Sequence, residues 1–153
     1  MKKIWIIHNS LHGNSEQISK TIAEDLKNGY DVSLDHIKNI TPEDISKDET
    51  YGLIIATRIL AFRSDFEIRG FIKNLDLIAT KPIPKVAYFS THALGWRNMF
   101  LKGMKKTLEK ASCFEEICPE YLEVKMEKAE GPAIEGSDAK IRDYITTLRN
   151  FLS

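Results

Sequence analysis

Short apolar runs alternate with amphipathic stretches along the whole chain. Lys3 to His8 is an Ile-rich run with no polar face, the pattern of a strand covered on both sides. Asn14 to Lys27 places Ile18, Ile22 and Leu26 on one face of a helix, and Gly29 stands where that helix stops. Tyr30 to Ile37 sets Tyr30, Val32 and Leu34 two apart, predicting a strand with one wetter side. Thr41-Pro42-Glu43-Asp44 combines a capping hydroxyl, Pro at the first helical position and first-turn acids, which predicts a short helix. Tyr51 to Thr57 is the next strand, and Ser64-Asp65 caps a helix running to about Leu75. Lys85 to Ser90 supplies another strand, and the helix from Asn98 to about Ala111 turns Phe100, Leu101, Met104 and Leu108 to one side. Phe114 to Met126 holds the last strand, with Pro119 interrupting it and its register left open. Ser137-Asp138 caps a closing helix whose stripe is Ile141, Ile145, Leu148 and Leu152.

Five strands alternating with helices imply an α/β fold, a parallel sheet with helices on both faces. More than one strand order satisfies the pattern, and in each of them ligands bind at the carboxyl ends of the strands. With no long linker and no internal repeat, residues 1–153 are expected to form one domain. An apolar share of 42% and a charged share of 29% describe ordinary globular material and argue against disorder. Twenty-two Lys plus Arg balance twenty-two Asp plus Glu, so nothing electrostatic favours nucleic acid. The run Ile4 to Ile7 is far too short to span a membrane, and polar His8-Asn9-Ser10 follows where a signal peptide would continue apolar. The expected location is the cytosol. Cys113 and Cys118 lack a second pair for a zinc site and read as two packed thiols. His8, His12, His36 and His92 have no metal-ligand spacing.

The most specific feature is Ser10-Leu11-His12-Gly13-Asn14-Ser15, between the first strand and the first helix. Small and polar residues at a helix N-terminus leave main-chain N–H groups for an anion, and the helix dipole adds partial positive charge. Gly13 permits a tight turn. Ser10, Asn14 and Ser15 can donate to phosphate oxygens from their side chains, and His12 from its ring. The same residues also read as a plain helix cap, because Asn14 and Gln17 form a capping pair. A Walker loop and the dinucleotide fingerprint are both excluded, since Gly-Lys-Ser/Thr is missing and only one glycine is present.

The segment Ile6 to Glu16 resembles the phosphate loop of the flavodoxin family, Thr/Ser-x-Thr-Gly-Asn-Thr. Ser10, Gly13, Asn14 and Ser15 match or substitute conservatively, while His12 stands where the family has Thr. Length and element order extend the resemblance over the chain. It implies a five-stranded sheet ordered 2-1-3-4-5 and an FMN-binding electron-transfer protein, with Ser10 to Ser15, including Leu11, around the phosphate. A bound phosphate favours the charged form of His12, so affinity is expected to depend on pH.

In flavodoxin-like proteins the isoalloxazine lies between the loops after the third and fourth strands. Here those are Thr57-Arg58-Ile59-Leu60-Ala61-Phe62-Arg63 and Ser90-Thr91-His92-Ala93-Leu94-Gly95-Trp96. The resemblance implies ring contacts from Thr57, Arg58, Ile59 and Leu60, and from Ser90, Thr91, His92 and Ala93 chiefly through main chain. The first loop lacks the glycine that many flavodoxins place near the flavin N5, so a peptide flip there costs more. Arg58 near the N1–O2 edge favours the anionic reduced ring, or else takes a substrate's negative group, whereas Arg63 reads as solvated. Trp96 either stacks on the ring or begins the core face of the next helix.

The expected function is an electron carrier with unidentified protein redox partners, in which FMN supplies the chemistry. Flavodoxins are commonly acidic, and the even charge here departs from that; Glu115, Glu116, Glu120, Glu123, Glu127 and Glu130 form either a local acidic patch or a solvated face. Two alternatives stand beside the carrier. One is an FMN oxidoreductase on the same fold, a quinone reductase or a protoporphyrinogen oxidase-like enzyme, with Arg58, Arg63 and His92 over the ring. The other is a binding domain without flavin.

Overall fold

A computed structural model describes residues 1–58, 66–92, 98–128 and 131–153, with main chain only at 98–101. Strands β1 (Lys3–His8), β2 (Asp31–His36), β3 (Gly52–Arg58), β4 (Ile83–His92), β5 (Phe114–Ile117) and β6 (Leu122–Lys125) alternate with helices α1 (Asn14–Leu26), α2 (Pro42–Lys47), α3 (Phe66–Ile78), α4 (Asn98–Lys110) and α5 (Ser137–Leu152). All pairings between these strands are parallel, in the order β2-β1-β3-β4-β5, with β6 paired to β4. The expected order 2-1-3-4-5 is therefore present, and the last strand is in two pieces.

Period-two alternation in the central strands builds two cores. Ile4 and Ile6 of β1 with Ile54 and Ala56 of β3 face α1 and α5, where Ile18, Ile22, Ile145 and Leu148 close the layer. Trp5 and Ile7 with Leu53 and Ile55 face the opposite side, against Ile45 of α2, Ile72 of α3, and Met104 and Leu108 of α4. Cys118 belongs to the first core and Cys113 to the second, so the two thiols sit on opposite faces and are free. Burial raises both thiols, and the neighbouring Asp76 carboxylate helps push Cys113 to about 12. Two packed thiols is the right description.

Several expected boundaries move, each for a tertiary reason. Pro119 cannot donate to a ladder. β5 therefore pairs with the start of β4, at Ile83, Lys85 and Val86, and β6 resumes against its end, from Phe89 to His92. Flanked on both sides, β4 runs from Ile83 to His92 instead of ending at Ser90. β3 likewise includes Arg58. Helix α3 continues past Leu75 to Ile78; its expected Ser64-Asp65 cap lies outside the described residues, as do the side chains of Phe100 and Leu101. The cap of α5 is Gly136 at φ 87°, not Ser137, whose hydroxyl donates to Ile134 O at 2.7 Å. The capping box of α2 is as expected: Thr41 Oγ1 accepts from Asp44 N, and Asp44 Oδ2 accepts from Thr41 N at 2.8 Å. Among the described residues, no helix is long and apolar enough to cross a membrane.

Ile54 is fully buried in the first core at the middle of the sheet. Ile54→Ala is expected to lower unfolding free energy by about 3 kcal/mol, from lost burial plus a cavity. Urea denaturation checks this, and a loss under about 1 kcal/mol would contradict this packing.

Candidate functional site at the strand ends

Polar side chains gather where the sheet's central strands end. His8, Asn9, Thr57, Ser90, Thr91 and His92 are each at most 4% exposed, and Ser15 at the start of α1 joins them. Buried groups of this kind must be paired with one another or with a ligand. Asn9 leaves β1 and ties it to β3: its Oδ1 accepts from Arg58 N at 3.2 Å, and its carbonyl accepts from Arg58 Nε at 3.1 Å. The Ser15 and Thr91 hydroxyls share a hydrogen bond of 3.1 Å, which fastens the first turn of α1 to β4. Thr57 Oγ1 donates to Arg58 O at 3.2 Å. His92 Nε2 lies 3.7 Å from a Glu123 oxygen on β6. Among the described residues, the buried polar atoms with no hydrogen-bond partner include Asn9 Nδ2 and Ser90 Oγ.

The loop from Ser10 to Gly13 crosses above this floor. Leu11 is 66% exposed, His12 is exposed, and Ser10 and Gly13 are half-buried. Gly13 sits at φ 86°, in the left-handed region that favours glycine, and a Cβ there would have open space around it. It is also the N-cap of α1, without a side-chain cap. The expected Asn14–Gln17 capping pair is not the cap: helix begins at Asn14, and Gln17 N bonds Gly13 O at 2.9 Å. The Asn14 carboxamide packs instead against Gly131, where a Cβ would come within 2.8 Å of Oδ1. Glu16 is the one acid of the first turn, and Lys20 offsets it at 3.7 Å.

Ser10 is held from below by two imidazoles. His8 Nδ1 accepts from Ser10 N at 3.2 Å, and His36 Nε2 lies 3.2 Å from Ser10 O. His8 is pushed below the ordinary imidazole value of 6.5, chiefly by burial and then by His36, against the opposite pull of Glu16 and Asp35. Such a group binds fewer protons folded than unfolded, so its share of stability is intact above about pH 6.5 and falls on acidification.

Ser10, Leu11, His12, Gly13, Asn14 and Ser15 thus form one loop and helix start, and Thr57, Arg58, Ser90, Thr91 and His92 border it from below. Thr57 and Ser90 lie in strands as expected; Arg58, Thr91 and His92 lie in strands too, not in the loops expected to carry them, because β3 pairs with β4 out to Arg58 and Thr91 and β6 pairs with β4 out to His92. Ile59, Leu60, Ala93 and Trp96 lie outside the described residues, as do Phe62, Arg63 and Gly95. Asn9, His8, His36 and Gly131 were not expected at the site. Asn9 carried a usable signal, being polar immediately after a fully buried strand. The acidic patch is dispersed: Glu116 pairs with Lys85 at 2.7 Å, Glu120 accepts from Thr147, and Glu123 faces His92. Glu130 lies outside the described residues. A cavity of about 390 Å³ opens between β6 and α5, walled by His92, Glu120, Tyr121, Glu123, Lys140 and Asp143 among others, and shares only His92 with the strand-end group.

Solved structures match this chain over nearly its full length. Oxidised flavodoxin 1 from Bacillus cereus superposes with TM-score 0.76 at 16% identity, covering 99% of this chain and 100% of that one. Oxidised flavodoxin 2 from Bacillus cereus gives 0.75 at 20% identity, with 97% and 98% covered. Rubredoxin oxygen:oxidoreductase from Desulfovibrio gigas gives 0.78 at 15% identity; there the match covers 99% of this chain but only 35% of the larger one. The fold is that of the flavodoxins. No family model matches the sequence, and no curated protein matches it.

A left-handed Gly13 has an energetic signature. Gly13→Ala is expected to cost about 1 kcal/mol of stability from backbone strain alone, since the new methyl meets nothing. An unchanged urea midpoint would show that residue 13 does not need this conformation.

Proposed function

We propose that this chain binds one FMN at the carboxyl ends of β1, β3 and β4 and carries electrons between protein partners. The observation that carries the reading is the loop Ser10 to Ser15, which delivers a left-handed glycine and a helix N-terminus onto those strand ends. Main-chain N–H groups at the start of a helix are satisfied by nothing within the helix and favour an anion. Leu11 and Gly13 contribute amides, Ser10 its hydroxyl, Asn14 its carboxamide and His12 its ring N–H. Ser15 has its hydroxyl committed to Thr91, so its part is its amide and the anchoring of the loop.

The residues present fit such a ligand. A buried polar atom left unpaired costs about 1–3 kcal/mol. Asn9 Nδ2 and Ser90 Oγ are two such atoms at the strand ends, and a ligand rich in acceptors and donors relieves that cost. When bound, the flavin ring supplies one- and two-electron redox chemistry. Thr57, Arg58, Ser90, Thr91 and His92 border the ring's place; Ile59, Leu60, Ala93 and Trp96 join them on the sequence resemblance. Arg58 has its Nε tied to Asn9 O, which holds a positive charge at the end of β3. That charge favours an anionic form of a nearby ligand. Buried free thiols and the neutral overall charge suit a cytosolic protein working as one domain.

Titration with FMN is expected to quench flavin fluorescence to a 1:1 endpoint. Riboflavin, which lacks the phosphate, is expected to bind at least about tenfold more weakly, because each hydrogen bond to a charged group is worth about 1.5–3 kcal/mol. Asn14→Ala weakens FMN and leaves riboflavin nearly unchanged. Equal affinity for the two flavins, or no saturable uptake, refutes the phosphate site. The carrier is separated from an oxidoreductase by turnover: with reduced nicotinamide and quinone it shows almost none until a reductase is added.

A further inference from the structure

The Ser10 peptide has both of its polar atoms engaged by histidines from two different strands. His8 at the end of β1 accepts from Ser10 N through Nδ1, and His36 at the end of β2 reaches Ser10 O through Nε2, each at 3.2 Å. The hydrogen bonds fix the tautomers. His8 must be bare at Nδ1 to accept from an amide. His36 Nδ1 accepts from Lys38 N at 3.1 Å, so its proton sits on Nε2 and is donated to the Ser10 carbonyl. The two rings meet edge to face with centroids 5.1 Å apart.

We propose that His8 and His36 are positioning residues of the phosphate loop: as a neutral pair they set the Ser10 main chain, and protonating His8 releases its amide. For its consequence on binding, this rests on the reading of Ser10 to Ser15 as a phosphate site.

A proton on His8 Nδ1 turns an acceptor into a donor facing the Ser10 N–H, and that bond is lost. A proton on His36 Nδ1 does the same to the Lys38 N–H. With the rings 5.1 Å apart, charge on His36 opposes charge on His8. Asp35 from β2 and Glu16 from α1 favour the charged form of His8, while Lys20 from α1 and His36 oppose it. Arg58 at the end of β3 is bonded to the neighbouring Asn9, Lys38 follows His36, and exposed His12 lies in the loop itself. The carboxylate of Asp35 is already engaged by His36 N at 2.8 Å and Asn39 Nδ2 at 3.0 Å. Burial of His8 at 3% exposure then decides for the neutral state near pH 7.

The effect on an anion has a distinctive sign. A positive charge on exposed His12 strengthens phosphate binding. Releasing Ser10 weakens it. The proposal holds that the release wins.

The test has two arms. In ligand-free protein, the ¹H–¹⁵N shift of the Ser10 amide is followed from pH 8 to 5 together with the imidazole signals. It is expected to move with the His8 titration in both wild type and His12→Gln. A Ser10 amide indifferent to both rings overturns the proposal without any variant at the pair. In the second arm, FMN affinity is measured from pH 8 to 5.5. Wild type is expected to weaken at least fivefold more than His8→Asn, while His36→Gln, which removes the charge opposing a proton on His8, keeps the loss. Asn places an oxygen acceptor where Nδ1 stood, and Gln keeps a donor where Nε2 stood, and neither takes up a proton in this range. Because all three proteins meet the same phosphate ionisation, its contribution cancels. Failure of wild type to bind FMN even at pH 8 defeats the phosphate reading. Binding with one pH profile shared by wild type and His8→Asn defeats the histidine pair alone.

Discussion

A parallel sheet must close its carboxyl ends with something that satisfies buried polar groups, and in this chain that duty falls on a ring of small polar side chains. Asn9 bridges to Arg58, Ser15 to Thr91, and His8 and His36 to Ser10, so every central strand is tied to its neighbour or to the loop above it. The floor exists because β3 and β4 stay paired out to Arg58 and Thr91, and β6 takes over the far side of β4 where β5 stops. A loop laid across this floor has little freedom. Its amides point where the floor lets them.

The proposed anion recognition differs from recognition by a surface lysine. The loop holds no Lys or Arg, and the chain's charges cancel. Partial charges of oriented amides act only at short range and only in one geometry. On the proposed reading, affinity depends on how well the loop is held, and side chains that never touch a ligand enter the energetics. Gly131 against Asn14, and the two imidazoles beside Ser10, are of that kind.

Much of this was legible in the residues, and the reason differs by element. β1 and α1 declared themselves through period: Ile4 to Ile7 apolar throughout, then Ile18, Ile22 and Leu26 on one face. The loop was visible because Gly13 and its polar neighbours stand at one strand-to-helix junction. Strand order followed from the resemblance, not from periodicity. The length of β4 was not readable, because Thr91 and His92 become strand only through partners in β3 and β6. The role of Pro119 was half readable: an interruption was evident, but its outcome, two short strands on one neighbour, depends on the register of β4. His8 and His36 were noticed and set aside as having no metal spacing. Their shared contact is with a main chain, and no side-chain spacing encodes it.

The placement of Cys113 and Cys118 on opposite faces of the sheet has a consequence for watching the molecule come apart. Each thiol is sealed under a different helical layer and disfavours the thiolate, so a reagent reaches either one only when that layer lifts. The two labelling rates would time the opening of the two sides independently. The chain thus carries, without engineering, a pair of native reporters on whether its halves unfold together or in turn.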